Sequence, residues 1–221
     1  MAEKIFCPAL KKTGSKKKRA EIFSKSIASL YPDAPCGLLH NNSAFRLLVM
    51  ARLSAQCTDK RVNEVSKTLF EHFPTPESFA EAPLEKIENE IHSCGLYKTK
   101  AKSIKEMCEV LVRDYNGEVP SNKEALLSLS GVGIKIANLI MGDIFSDPYI
   151  VPDTHCMRIS NRVGLISKPE PNVCIRELDK LINKEDRAEF CHRIVLFGRE
   201  YCKAQSPKCD TCPLNKFKDE L

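Results

Sequence analysis

Gly131, Gly133 and Lys135 are closely spaced in Leu129-Ser130-Gly131-Val132-Gly133-Ile134-Lys135, and Asp153 follows in Val151-Pro152-Asp153-Thr154-His155. Glycines give access to backbone conformations that a Cβ disfavours and let one backbone approach another closely. The first string reads as a helix, a tight turn and a second helix opening with Ile134, Lys135 and Ile136. The first N–H groups of a helix have no partner within it, and the helix dipole favours an anion there, so such a turn suits a phosphate. Contacts of this kind position a protein on a nucleic-acid backbone without reading bases. A bare Gly-x-Gly would serve any helix corner. The lysine two residues on shifts the reading toward a site.

Lys135 falls in the first turn of its helix, flanked by Ile134, Ile136 and Ala137. A cation there opposes the dipole, and apolar neighbours disfavour the ammonium form. Both effects favour the free amine that nucleophilic attack requires. A phosphate-binding lysine that keeps its charge is the other reading, and the residues alone leave both open. Asp153 is placed to cap a helix running to about Asn161. It could cap and catalyse at once.

The elements that must position these groups are helical. Segment 44–56 is apolar nearly all round, as a central helix should be. Further helices are expected near 20–30, 60–72, 84–92, 99–115, 123–129, 134–145, 154–163, 173–182 and 186–199. Pro74, Pro76, Pro83, Pro120, Pro148 and Pro169 punctuate between them. Strand-like alternation is nearly absent, which makes the chain all-α.

With 221 residues the chain can bury a core as one domain or two small ones. Its net charge of +5 is too small for a polybasic coat. The charge is concentrated in Lys11, Lys12, Lys16, Lys17, Lys18 and Arg19, read as a solvated arm that adds weak contact to a nucleic-acid backbone. The first residues lack the apolar run of a secretory signal, and no segment reaches membrane-spanning length. A cytoplasmic, non-secreted protein is expected. The final Lys218-Asp219-Glu220-Leu221 spells a retention signal that is unusable without entry, so we read it as coincidence. Most of the 11 cysteines, Cys94, Cys108 and Cys191 among them, fall in helical patterns as small buried hydrophobes.

The glycine turn with Val151-Pro152-Asp153-Thr154-His155 resembles the helix-hairpin-helix and Gly-Pro-Asp signature of DNA glycosylases, and specifically the endonuclease III family. Leu53-Ser54-Ala55-Gln56-Cys57-Thr58-Asp59, Cys94-Gly95-Leu96-Tyr97-Lys98-Thr99-Lys100-Ala101 and Asn116-Gly117-Glu118-Val119-Pro120 resemble further stretches of that family in the same order and spacing. The likeness runs from about Ser43 to Cys212. It implies two helical lobes, a six-helix barrel at 37–147 and a second lobe made of 1–36 with 148–221. Lys135 and Asp153 would face each other across the cleft between them.

The resemblance further implies a monomeric bifunctional glycosylase and abasic-site lyase, acting on oxidised pyrimidines in double-stranded DNA. A base to be excised must leave the stack. Gln56 would fill the gap it leaves, and Leu96 would wedge from the other side. On the residues alone, Gln56 could be a polar helix end and Leu96 a core residue. Gly131, Val132, Gly133 and Ile134 would hold the DNA backbone, and Lys135 would attack C1′ with Asp153 assisting. Ser128, Ile134 and Pro152 depart from the family's usual glutamate, basic residue and valine, which could shift substrate range. A monofunctional or mismatch glycosylase using Asp153 to activate water, and a non-catalytic DNA-binding module, are the rival readings.

Cys202, Cys209 and Cys212 match three ligands of the family's iron–sulfur loop, but Lys218 stands where the fourth cysteine is expected. A 4Fe–4S cluster is the first expectation, with a three-iron cluster, zinc or a metal-free loop as alternatives. The open position would need water, a carboxylate such as Asp219 or Glu220, or another cysteine brought in spatially. Lys203, Lys208, Lys216 and Lys218 would leave the loop basic enough to touch phosphate.

Overall fold

Side-chain caps set most helix starts. Ser43, Thr58, Asn122 and Asp153 each stand in extended backbone and accept from the N–H three residues on. The computed structural model describes residues 7–10 and 15–217, and no strand occurs among them. The α-helices are α1 (Lys16–Leu30), α2 (Ala44–Leu53), α3 (Asp59–His72), α4 (Pro76–Glu81), α5 (Leu84–Glu90) and α6 (Tyr97–Tyr115). They continue with α7 (Lys123–Ser128), α8 (Ile134–Asp143), α9 (Thr154–Val163), α10 (Pro171–Leu178) and α11 (Arg187–Glu200). Short 3₁₀ turns stand at Pro8–Leu10, His92–Cys94, Lys184–Asp186 and Pro213–Phe217. No helix of the described residues is long and apolar enough to cross a membrane.

The chain divides into two compact units, Cys36–Ser146 and Met1–Pro35 with Asp147–Leu221. In the first, α2 packs on α3, α6 and α8. It buries Leu47, Leu48, Val49, Met50, Ala51 and Leu53, so the helix that reads as apolar all round does lie in the core. Phe79 on α4 meets Phe45, Phe70 and Phe73 at ring-centroid distances of 5.8, 6.4 and 5.0 Å. This unit holds α2–α8, one α-helix more than the six expected. The addition is α4, which the proline reading hides. Pro76 is its first residue, where the missing N–H costs nothing, and Thr75 closes a capping box with Ser78.

In the second unit α11 packs on α1 and α9. Phe23 sits edge-on to Phe190 and Phe197, at 6.1 and 5.7 Å. Lys16–Arg19 are not a free arm: they form the first turn of α1, capped by Ser15. Lys16 pairs with Glu177 at 2.8 Å, and Arg19 donates to the Gly164 carbonyl. Lys11, Lys12 and the last four residues lie outside the described residues. All 11 cysteines are free, and Cys94, Cys108, Cys156, Cys174 and Cys191 are buried.

Candidate active site and cysteine loop

The glycine turn joins α7 to α8 and forms the expected helix–hairpin–helix. Leu129 anchors it in the core, and Ser130 donates to Glu106 at 2.7 Å. Gly131 has φ +76°, and a Cβ there would collide with Arg52 and Ser103, so only glycine fits. Gly133 is a different case. Its backbone is extended, φ −101° and ψ 179°, and a Cβ would meet nothing within 4 Å. The fold does not demand this glycine, and the space beside it remains open to an external backbone. Gly133 caps α8 with no side chain, which leaves the first N–H groups of that helix to a ligand. Val132 is buried and Ile134 half-buried, so these two can offer only backbone or partial contact.

Lys135 is exposed, whereas Ile136 and Ala137 turn into the core. The apolar neighbours therefore do not wrap the amine as the sequence suggests, because helical periodicity sends them to the other face. Lys135 stands in the first turn of α8, on the face turned to solvent.

Gln56 and Leu96 share an unusual backbone. Helix α2 stops at Leu53, short of the expected 56, and Gln56 stands beyond it in the left-handed region at φ +54°. Leu96 has φ +48° and is 56% exposed, which rules out its reading as a core residue. Residues with a Cβ are uncommon in this conformation, and such strain concentrates at functional sites. The two loops are tied by Lys100, whose side chain is fully buried. Its Nζ donates to the carbonyls of Leu53 and Cys94, both at 2.8 Å. Burial holds the Lys100 ammonium below its ordinary pKa. Cys57 and Cys94 lie close together beside the two loops, and burial pushes the Cys94 thiol up to about 11.

The hairpin joins the same edge of the unit, since Gly131 packs on Arg52 and Ser103 and Arg52 donates to Ser103 at 2.7 Å. One edge thus carries the glycine turn, Lys135, Gln56 and Leu96. Lys100 and Arg52 were not singled out from the sequence. A lysine inside Lys98-Thr99-Lys100-Ala101, at a position that α6 turns inward, was the available signal for the first.

Asp153 belongs to the other unit. Its Oδ1 accepts the Cys156 N–H at 2.6 Å, which makes it the cap of α9, and it is half-buried. The helix runs Thr154–Val163, the span expected from the sequence, and Gly164 caps its end in the left-handed region.

Cys202, Cys209 and Cys212 are half-buried and line one pocket that opens to solvent. Arg162 braces the loop, donating to the Cys202 sulfur at 3.5 Å and to the carbonyls of Lys203 and Ala204 at 2.6 and 2.8 Å. Asn215 donates to the Cys209 and Asp210 carbonyls. Cys7 lines the same cavity, so a further cysteine is brought in spatially, one of the sources the sequence left open without naming the residue. Burial pushes its thiol up, backbone hydrogen bonds from Ala9 and Leu10 oppose this, and Cys202 and Cys209 add to the rise. A basket of thiols braced by cationic donors fits an iron–sulfur group.

Comparison with known proteins agrees with this geometry. Residues 49–184 match the HhH-GPD superfamily of base excision DNA repair proteins, and residues 202–217 match the iron–sulfur binding domain of endonuclease III. Endonuclease III of Bacillus subtilis is 42% identical over 198 residues, 89% of this chain and 90% of that protein. A trapped endonuclease III–DNA covalent intermediate is 41% identical, with a TM-score of 0.86 over 92% of this chain and 97% of the other. A non-covalent endonuclease III–DNA complex gives a TM-score of 0.87 at the same identity and coverage. With the hairpin, the helix-capping aspartate and the cysteine loop in place, the chain belongs to the endonuclease III family of base excision repair enzymes, DNA glycosylases with abasic-site lyase activity.

Proposed function

We propose that Lys135 is the nucleophile of this chain, that Asp153 assists it, and that the substrates are oxidised pyrimidines and abasic sites in duplex DNA. The observation that carries the reading is Lys135 itself: an exposed amine in the first turn of a helix with no side-chain cap, just after open space at Gly133. A 41% identical relative has been trapped as a covalent DNA intermediate, which supports an attacking side chain here.

In the proposed reaction the hairpin amides hold a backbone phosphate and bring the sugar to the amine. Leu96 and Gln56, exposed and pre-set in the left-handed region, occupy the space vacated by the extruded nucleotide. The Lys135 nitrogen bonds to C1′ as the C1′–base bond breaks, and the base leaves with the electron pair and takes up a proton. Loss of a nitrogen proton and ring opening give an imine. Removal of a C2′ proton then expels the 3′ phosphate and nicks the strand. One oxygen of Asp153 caps α9, and the other is left to accept the ammonium proton or to face the developing positive charge on the sugar. The Cys loop would hold a 4Fe–4S cluster through Cys202, Cys209 and Cys212. When bound, the cluster supplies a cross-link that stiffens a basic loop, and no step of the reaction passes through it. A monomer in the cytoplasm, associated with the nucleoid if the source is bacterial, fits this role.

Lys135→Gln tests the reading. Nicking of abasic duplex should vanish while affinity for that duplex stays within about threefold, because most affinity resides in phosphate contacts. Nicking at near the wild-type rate would remove Lys135 from the role. Base removal without nicking in the unaltered protein would instead favour a monofunctional enzyme using Asp153 and water.

A further inference from the structure

The family spacing leaves this chain one thiolate short, with Lys218 at the fourth position. The fold offers a replacement from the other end of the sequence. Cys7 lines the cavity formed by Cys202, Cys209 and Cys212. Its sulfur lies within electrostatic reach of Cys202 and Cys209, and Cys212 in turn feels Cys7 as well as the other two.

Three features hold Cys7 there. Its N–H donates to the Arg162 carbonyl at 2.8 Å, and the guanidinium of the same Arg162 donates to the Cys202 sulfur. One residue therefore braces both cysteines. The 3₁₀ turn after Cys7 packs on the 3₁₀ turn after Cys212, with Ala9, Leu10 and Leu214 buried. The two cysteines also share a local design. Each precedes a proline that opens a 3₁₀ turn, in Cys7-Pro8-Ala9-Leu10 and in Cys212-Pro213-Leu214. In both, backbone groups just past the proline lie close to the sulfur: Ala9 and Leu10 for Cys7, Leu214 for Cys212. Backbone groups beside a sulfur help fix its direction, as the outer shell of a metal site does.

Resting on the assignment of an iron–sulfur cluster to the loop, we infer that Cys7 is its fourth thiolate ligand, so that the N-terminal segment substitutes for the missing C-terminal cysteine. On ligation the Cys7 thiol loses its proton to solvent and the sulfur bonds one iron, with no change of oxidation state. The cluster then closes a loop through both ends of the chain and fastens the Pro8–Leu10 turn to the unit.

The test uses the full chain purified without oxygen. Iron and acid-labile sulfide at about four each per chain establish the cluster. Neither metal nor sulfide, or one zinc, would overturn the cluster reading and with it this inference. In loaded protein, iodoacetamide followed by mass spectrometry should leave Cys7, Cys202, Cys209 and Cys212 unmodified, and all four should react once the cluster is stripped. Cys7→Ala should lose one iron, seen as a three-iron electron paramagnetic resonance signal, or bleach in air about tenfold faster. Lys218→Cys in the Cys7→Ala background should restore iron content and stability in air, and in the unaltered chain it should change neither. Cys7 alkylated in loaded protein as fast as in stripped protein would overturn the inference while leaving the cluster established. So would Cys7→Ala with unchanged iron, spectrum and bleaching rate.

Discussion

Replacing Lys100 with methionine should damage the enzyme in two separable ways. The side chain is fully buried, and its Nζ gives two 2.8 Å hydrogen bonds to the Leu53 and Cys94 carbonyls. Methionine keeps the length and the packing but donates nothing. Hydrogen bonds from a charged donor contribute roughly 1.5–3 kcal/mol each, and each stranded carbonyl adds a further cost. The opposing gain is relief from desolvating the ammonium, which is several kcal/mol. The balance is a loss of about 2 kcal/mol, because two buried carbonyls cannot be re-satisfied by a thioether. For a chain of this size that lowers Tm by roughly 4–8 °C. The same bonds fix the loops carrying Gln56 and Leu96, so base removal from duplex DNA should fall roughly 10- to 100-fold, as expected for small misplacement of positioning groups. Nicking of a single-stranded abasic site, where no helix gap must be filled, should fall much less. Urea unfolding and paired duplex and single-strand assays measure both effects. Unchanged stability with normal duplex activity would refute the assignment of Lys100 as the tie between these loops.

Leu96→Gly should hold or raise stability by up to about 1 kcal/mol, since it relieves a left-handed residue, while duplex base removal drops; chemical denaturation and a glycosylase assay decide it. Asp153→Asn should cut base removal by about 10²-fold or more with little change in stability, because Asn still caps α9; an unstable but catalytically normal protein would make Asp153 a cap only. Glu177 is held at about pKa 2 first by its hydrogen bond from Lys16 and then by Ser167. A depressed carboxylate stabilises the fold above its unfolded value near 4.5 and loses that contribution as pH falls toward 2. Glu177→Gln should therefore lower stability at pH 7 by about 1 kcal/mol and flatten the acid limb of the stability–pH curve; an unchanged acid limb would contradict the pairing.

The hairpin and the α9 cap were legible because their signals are local. Asp153 accepts from a backbone N–H three residues on, and Gly131 needs glycine for its own φ as well as for its neighbours. Helix α4 escaped because proline marks both a break and a helix start. The setting of Lys135 was misread because flanking residues in a helix point to different faces, so apolar neighbours in sequence are not neighbours of the amine. Lys100 reaches a carbonyl 47 residues away, and Cys7 joins a cavity built almost wholly from the far end of the chain. No local pattern announces either, since both are set by tertiary packing. The left-handed Gln56 and Leu96 were also out of reach, because the packing around each loop, and not its own propensity, imposes that conformation.

The central claim is that the Lys135 amine forms a covalent bond to the sugar. Borohydride added to the enzyme on abasic duplex DNA should reduce the imine and leave a stable protein–DNA adduct, and peptide mapping should place the modification on Lys135. An adduct mapping to another residue, or no adduct while the strand is nicked at full rate, would contradict the account.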